Sequence, residues 1–354
     1  MVSRLLQQCV GARPEEIFED FFPDGIAALA LAWEASRILV ATGNGRLCLL
    51  NSQGQRLREV FEVHDVHKLA FAHTAAVGLA VCGDRGLYCF DQDLQQLWTG
   101  RVTGRITAVA AAPHGSHFAF ATDSPKIHIV TSERREVAVI ETRRPVNHLH
   151  FMAESTELIA AAEFGEFSRY DLQGKTIWAE PQVSNIGDMA VAEPARRILL
   201  AAFNHGVQVF DLQARQLGSF NVDGIPSKVA CTATRNRLAV VTEEHRIFWL
   251  SFEGNVLWAA DLSHDPLQHI AVSALGDQLL LASASGCLLN CGWFGYPPPH
   301  RQSSPRPRRG RGVGGEGAHH LSTQPQAEHS NATQPPPQPA DSRPRLARPL
   351  KTEN

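Results

Sequence analysis

Residues 66–101 read VHKLAFAHTAAVGLAVCGDRGLYCFDQDLQQLWTGR. Residues 66–72 alternate apolar and polar, 77–82 (VGLAVC) are a nearly continuous apolar run, 86–90 (GLYCF) follow the turn Gly83-Asp84-Arg85, and 95–101 (QQLWTGR) follow a second turn. Alternation and short apolar runs bounded by Gly and Asp are strand signals. The stretch therefore reads as four short strands with no helical stripe.

The same unit recurs about every 40 residues from 26 to 296. At 40-residue steps from Phe90 the chain shows Leu50, Phe90, Val130, Tyr170, Phe210 and Leu250, each followed by Asn51, Asp91, Thr131, Asp171, Asp211 and Ser251. Seven positions on stand Leu57, Leu97, Val137, Ile177, Leu217 and Leu257, with Trp98, Trp178 and Trp258 next to three of them. Four strands per period of about 40 residues mark the blade of a β-propeller. The predicted fold is all-β, a seven-bladed propeller of four-stranded antiparallel blades. Its blades start near 26, 66, 106, 146, 186, 226 and 267.

The two ends of the repeat are each incomplete. The last unit offers strands at 268–274, 278–284 and 287–293, and then Tyr296-Pro297-Pro298-Pro299 stands where its fourth strand belongs. Proline removes a ladder donor, so that segment is no paired strand. Residues 15–22 fall in register with the fourth strand of the first unit, but no first three strands precede them. They are expected to complete blade 7 and close the ring, which leaves no open blade edge between the ends. Residues 1–14 are expected to fray, 15–296 to form the propeller, and 297–354 to be a disordered tail.

Composition is in keeping with a single large β domain. The 354 residues are 44% apolar and 19% charged, and a propeller reaches this size as one domain because each blade buries its faces on its neighbours. The seven cysteines, Cys9, Cys48, Cys82, Cys89, Cys231, Cys287 and Cys291, contain no CxxC pair and read as free thiols in a reducing, cytoplasmic setting. No apolar run approaches the length of a membrane span, and the first residues lack the apolar core of a secretory signal.

The turn ahead of each fourth strand often reads Asn-x-x-Gly or Asp-x-x-Gly, as in Asn51–Gly54 and Asp171–Gly174. Asp or Asn caps such a turn and Gly accepts positive φ, so Asp91, Asp171 and Asp211 are turn-formers rather than catalytic acids. The three tryptophans are expected to fill gaps between blades.

Leu87-Tyr88-Cys89-Phe90-Asp91 with Trp98, Phe167-Ser168-Arg169-Tyr170-Asp171-Leu172-Gln173-Gly174 with Trp178, and Val207-Gln208-Val209-Phe210-Asp211 carry a resemblance. These units resemble WD-repeat and quinoprotein-like (PQQ-type) propeller repeats. An apolar-Asp pair stands where WD repeats end in Trp-Asp, and the Gly and Trp that follow look like the quinoprotein turn. The Gly-His pair that opens many WD repeats and the adjacent cysteines of quinoprotein dehydrogenases are missing here. The resemblance thus implies the fold and no cofactor.

No nucleophile elbow, phosphate loop or zinc-protease motif occurs, so no catalytic residue, metal ligand or cofactor is assigned. His64-Asp65, in an inter-blade loop, reads as a turn. The ionisable candidates lie early in the innermost strands, where one column shows Ala28, Lys68, Ala108, His148, Asp188, Lys228 and His269. Lys68, His148, Asp188, Lys228 and His269 are expected to ring one mouth of the central channel, the natural place to look for a ligand. Such a ring suits an anionic small molecule or an acidic peptide better than a metal. His148 and His150 share a strand face but lack a third ligand.

Residues 297–354 hold twelve of the 21 prolines, with nine Arg or Lys against four Asp or Glu, a charge of +5. The whole chain is −3, which leaves −8 for residues 1–296. Such a tail permits weak electrostatic contact with nucleic acid or an anionic surface, and Pro335–Pro339 is a polyproline II candidate. The expected function is a non-catalytic, monomeric scaffold that binds protein partners through loops such as 63–66, 102–105, 143–146 and 222–226. The alternatives are a small-molecule-binding or enzymatic propeller using the channel mouth, and tail-mediated association.

Overall fold

A computed structural model of the chain describes residues 5–61, 63–181, 184–232, 235–262 and 265–293. The readings for 297–354, including the polyproline and basic segments, lie outside the described residues.

Two strands precede the repeats, β1 (Leu6–Gly11) and β2 (Glu15–Phe21). Blade 1 is β3 (Ile26–Ala32), β4 (Arg37–Thr42), β5 (Leu47–Asn51) and β6 (Arg56–Val60). Blade 2 is β7 (Val66–Phe71), β8 (Val77–Cys82), β9 (Gly86–Asp91) and β10 (Gln96–Arg101). Blade 3 is β11 (Ile106–Ala111), β12 (His117–Thr122), β13 (Lys126–Thr131) and β14 (Glu136–Glu141). Blade 4 is β15 (Val146–Phe151), β16 (Glu157–Ala162), β17 (Glu166–Asp171) and β18 (Thr176–Pro181). Blade 5 is β19 (Ile186–Ala192), β20 (Arg197–Ala202), β21 (Gly206–Phe210) and β22 (Gln216–Phe220). Blade 6 is β23 (Pro226–Cys231), β24 (Arg237–Thr242), β25 (Arg246–Ser251) and β26 (Val256–Leu262). Blade 7 holds β27 (Leu267–Val272), β28 (Gln278–Ser283) and β29 (Cys287–Gly292), with β2 as its outer strand.

The seven sheets make a closed ring of antiparallel blades, and no helix occurs among the described residues. The closure is physical as well as topological. Seven apolar cores lie between successive blades, one at each junction from blades 1 and 2 round to blades 7 and 1. The last of them contains Phe22, 1% exposed, beside Ile38, Val40, Leu280 and Leu288. β2 pairs with β29 from Glu15↔Gly292 to Phe21↔Cys287.

The segment expected to fray contains a strand instead. β1 pairs antiparallel with β26, from Leu6↔Leu262 to Gly11↔Trp258, and makes blade 6 five-stranded. Leu5 and Leu6 are buried in the core between blades 6 and 7, and the Trp293 indole N–H donates to the Ala12 carbonyl at 2.6 Å. The physical reason is the open edge of β26, which the chain meets on its way into β2. This extra strand belongs to no repeat, so the 40-residue period gives no sign of it.

The turns behave as their residues require. Oδ1 of Asp91 accepts from the Asp93 and Gln95 amides at 2.9 and 2.8 Å, and Asp211 does the same for Gln213 and Arg215, both at 2.9 Å. Gly54, Gly174 and Gly254 hold positive φ in these turns, while Leu94, Arg134 and Ala214 adopt it without being glycine. The tryptophans bridge blades. Trp98 packs edge-on against Phe118 of blade 3 and donates to the Ser132 carbonyl at 2.7 Å. Trp178 donates to the Leu212 carbonyl of blade 5 at 3.0 Å. Trp258, fully buried, meets Trp293 edge-on, and among the described residues its N–H has no acceptor.

Candidate functional site

Every inner strand carries the same irregularity. The ladder to its neighbour shifts between Ile26 and Ala28, Val66 and Lys68, Ile106 and Ala108, Val146 and His148, Ile186 and Asp188, Pro226 and Lys228, and Leu267 and His269. A bulge of this kind re-aims the side chain beside it. The candidate residues each sit just after that bulge. They lie at the end of the ring where the chain enters each inner strand, called here the entry face. The inter-blade loops and the turns between second and third strands share this face and bond to each other, as in Gly83 N–H to Asp65 O and Asp123 N–H to Arg105 O. His64-Asp65 belongs to this loop framework, and Asp65 holds φ at 55° there.

The electrostatics of the cluster run through its two histidines: His148 feels Asp188, Lys68 and Lys228, and His269 feels Lys228 and Lys68. His148 Nδ1 stands 3.5 Å from Asp188 Oδ1. Asp188 also accepts backbone N–H bonds from Met189 at 2.8 Å and Val229 at 3.1 Å. His269 Nε2 lies 3.3 Å from the Ala27 carbonyl, and so carries the proton in the neutral ring. Burial lowers His148, which feels both Asp188 and the charges of Lys68 and Lys228. Burial and then Lys228 push His269 down to about 4, with Lys68 adding to the effect. Burial lowers Lys68 too, helped by Arg105. Arg105, exposed in the loop ahead of β11, acts on Lys68 through its charge, and the strand columns alone do not pick it out.

His148 and His150 do not act together. His150 turns to Glu193, its Nε2 3.6 Å from the carboxylate, nearer the opposite face. Glu193 is buried there and accepts the backbone N–H groups of Ala153 and Glu154. Nearby on that face His73 stacks on Trp33 at 4.7 Å between ring centres. Among the described residues no group of His, Cys, Asp and Glu has the arrangement of a metal site.

The two faces differ in apolar exposure. Phe21, Phe61, Phe164 and Phe203, between 44% and 57% exposed, all lie on the entry face, whereas among the described residues Leu275 is the large exposed apolar residue of the opposite turns. Arg46 covers Phe61 and Arg144 covers Phe164, at 4.8 and 5.3 Å from the ring centres. At 40-residue steps Phe164 stands where blades 1, 2 and 3 carry Asn44, Asp84 and Ser124, and Phe203 where they carry Gly43, Gly83 and Asp123. A phenylalanine in a turn column otherwise filled by glycine or polar residues was the available signal in the sequence.

No family model and no curated protein matches this chain. Its functional reading rests on its own residues.

Proposed function

We propose that the propeller is a non-catalytic scaffold that docks a protein partner on its entry face. The observation that supports this is the segregation of exposed phenylalanines onto that face, around the ring of inter-blade loops. Exposed aromatic side chains on a rigid frame supply apolar contact area at little entropic cost. The entry face includes the loops 63–66, 102–105, 143–146 and 222–226. The Asp-capped turns and the blade-bridging tryptophans agree with a WD-repeat or quinoprotein-like lineage of the repeat. Closure of the ring on itself agrees with a monomer. All seven thiols are free, which supports a reducing, cytoplasmic site of action.

The test is affinity capture with quantitative mass spectrometry, comparing the wild-type chain, F61S/F164S/F203S, and a chain lacking residues 297–354. The substituted side chains are exposed, so the melting temperature should hold. A partner captured by the wild type and the truncated chain but lost from the triple variant supports the reading. An identical partner set from the wild type and the triple variant sinks it. A partner lost only on truncation assigns association to the tail instead.

A further inference from the structure

At the centre of the entry face, positive charge exceeds its compensation. Lys68 and Lys228 are half-buried, and neither ammonium has a hydrogen-bond or ion-pair partner among the described residues. Arg105 adds a third cation near enough to act on Lys68. The one carboxylate in the ring, Asp188, is already engaged by two backbone amides and His148. A partly buried cation without an ion-pair partner is unfavourable, and a rim of net positive charge concentrates field lines on its axis.

We infer that this mouth binds an oxyanion, a carboxylate or phosphate group held by Lys68 and Lys228 with His148 and His269 beside it. Charge-assisted hydrogen bonds from two ammonium groups are the strong kind. The same chemistry is available from a free phosphate or tricarboxylate and from the acidic side chains of a docked polypeptide. The inference stands on the charge balance of the ring and does not depend on the docking reading.

Proton linkage gives it a signature. The titratable and charged groups of the mouth are Lys68 on β7, Arg105 ahead of β11, His148 on β15, Asp188 on β19, Lys228 on β23 and His269 on β27, while blades 1 and 3 carry the buried Ala28 and Ala108 in the same column. His269, at about 4, is neutral at pH 7 in the empty site. An anion favours the charged form of both histidines, so binding takes up protons and tightens as pH falls.

Calorimetric titration of the full chain at low ionic strength tests this with inorganic phosphate, citrate and hexaglutamate as probes. One site per chain is expected for at least one probe, with affinity reduced at least about tenfold in K68M/K228M. The methionines keep the aliphatic stems, and a melting curve checks that this variant folds. With sulfate, whose charge is constant over this range, wild-type affinity should rise between about pH 8 and about pH 5.5, and H269Q should reduce that rise. Binding of phosphate or citrate identifies a free anion as the source, and binding of hexaglutamate alone identifies an acidic side chain. No binding of any probe up to about 10 mM overturns the inference. Equal affinity in K68M/K228M, which retains the basic tail, overturns it as well. A single lysine variant, K228Q, provides the same comparison if the double variant fails to fold.

Discussion

At the residue scale, Asp211 separates a structural aspartate from a chemical one. Its carboxylate receives the Gln213 and Arg215 amides and holds the turn into β22. D211A is expected to cost about 1 kcal/mol, the usual loss for a side-chain cap on backbone donors. It should leave oxyanion and partner binding untouched, and denaturant titration beside the binding assays checks both. His269 behaves oppositely. Its folded value of about 4 lies below its unfolded value, so between those limits the unfolded chain binds more protons. The empty protein therefore loses stability as pH falls from about 7 to about 4, and H269Q should flatten that slope in melts across this range.

Glu193 adds to the same acid lability from the other face. Its burial alone raises it, but His150 and the amides of Glu154 and Ala153 outweigh burial and hold the carboxylate below its ordinary range. A carboxylate lowered in the folded state contributes stability above its unfolded value and loses it as pH falls through the folded one. E193Q should thus reduce the pH dependence in the region below about pH 4.5.

At the element scale, the two N-terminal strands do different work. β2 supplies the outer strand of blade 7 and brings Phe22 into the core that joins blades 7 and 1. Deleting residues 1–23 exposes the β29 edge and that core, and should sharply lower the melting temperature. Deleting 1–12 removes only the added strand of blade 6 and should lower it less. An unchanged melting temperature for the longer deletion counts against the clasp. F22A carries the same argument on one side chain and is expected to cost about 3–5 kcal/mol, the range for a phenylalanine removed from a packed core.

For the whole molecule, closure changes how stability is shared. Each blade buries apolar surface on two neighbours, and no blade ends the array as a cap would in an open solenoid. Unfolding should therefore be cooperative around the ring. Cys48, Cys89, Cys231 and Cys291 are buried in blades 1, 2, 6 and 7. Burial pushes their thiols up, Cys48 to about 11 and the other three to about 12. Thiol labelling along a denaturant series should release these four at a single midpoint, whereas separate midpoints would show blades opening independently.

The period of about 40 residues, the four strands in each unit and the spare strand before the first unit determined the seven-bladed ring, because strand alternation and turn residues are local signals that each repeat restates. The columns also placed Lys68, His148, Asp188, Lys228 and His269 at one depth of the inner strands, since one register governs all seven blades. Other features depended on contacts between distant segments. β1 on the edge of β26 follows no repeat. His150 parts from His148 because Glu193, one blade on, holds it. Arg105 joins the mouth from a loop. The segregation of exposed phenylalanines to one face, and the lack of an ion-pair partner for Lys68 and Lys228 among the described residues, arise only when the ring closes and brings seven blades around one axis. Charge balance and exposure are sums over neighbours, and the neighbours here come from every part of the chain.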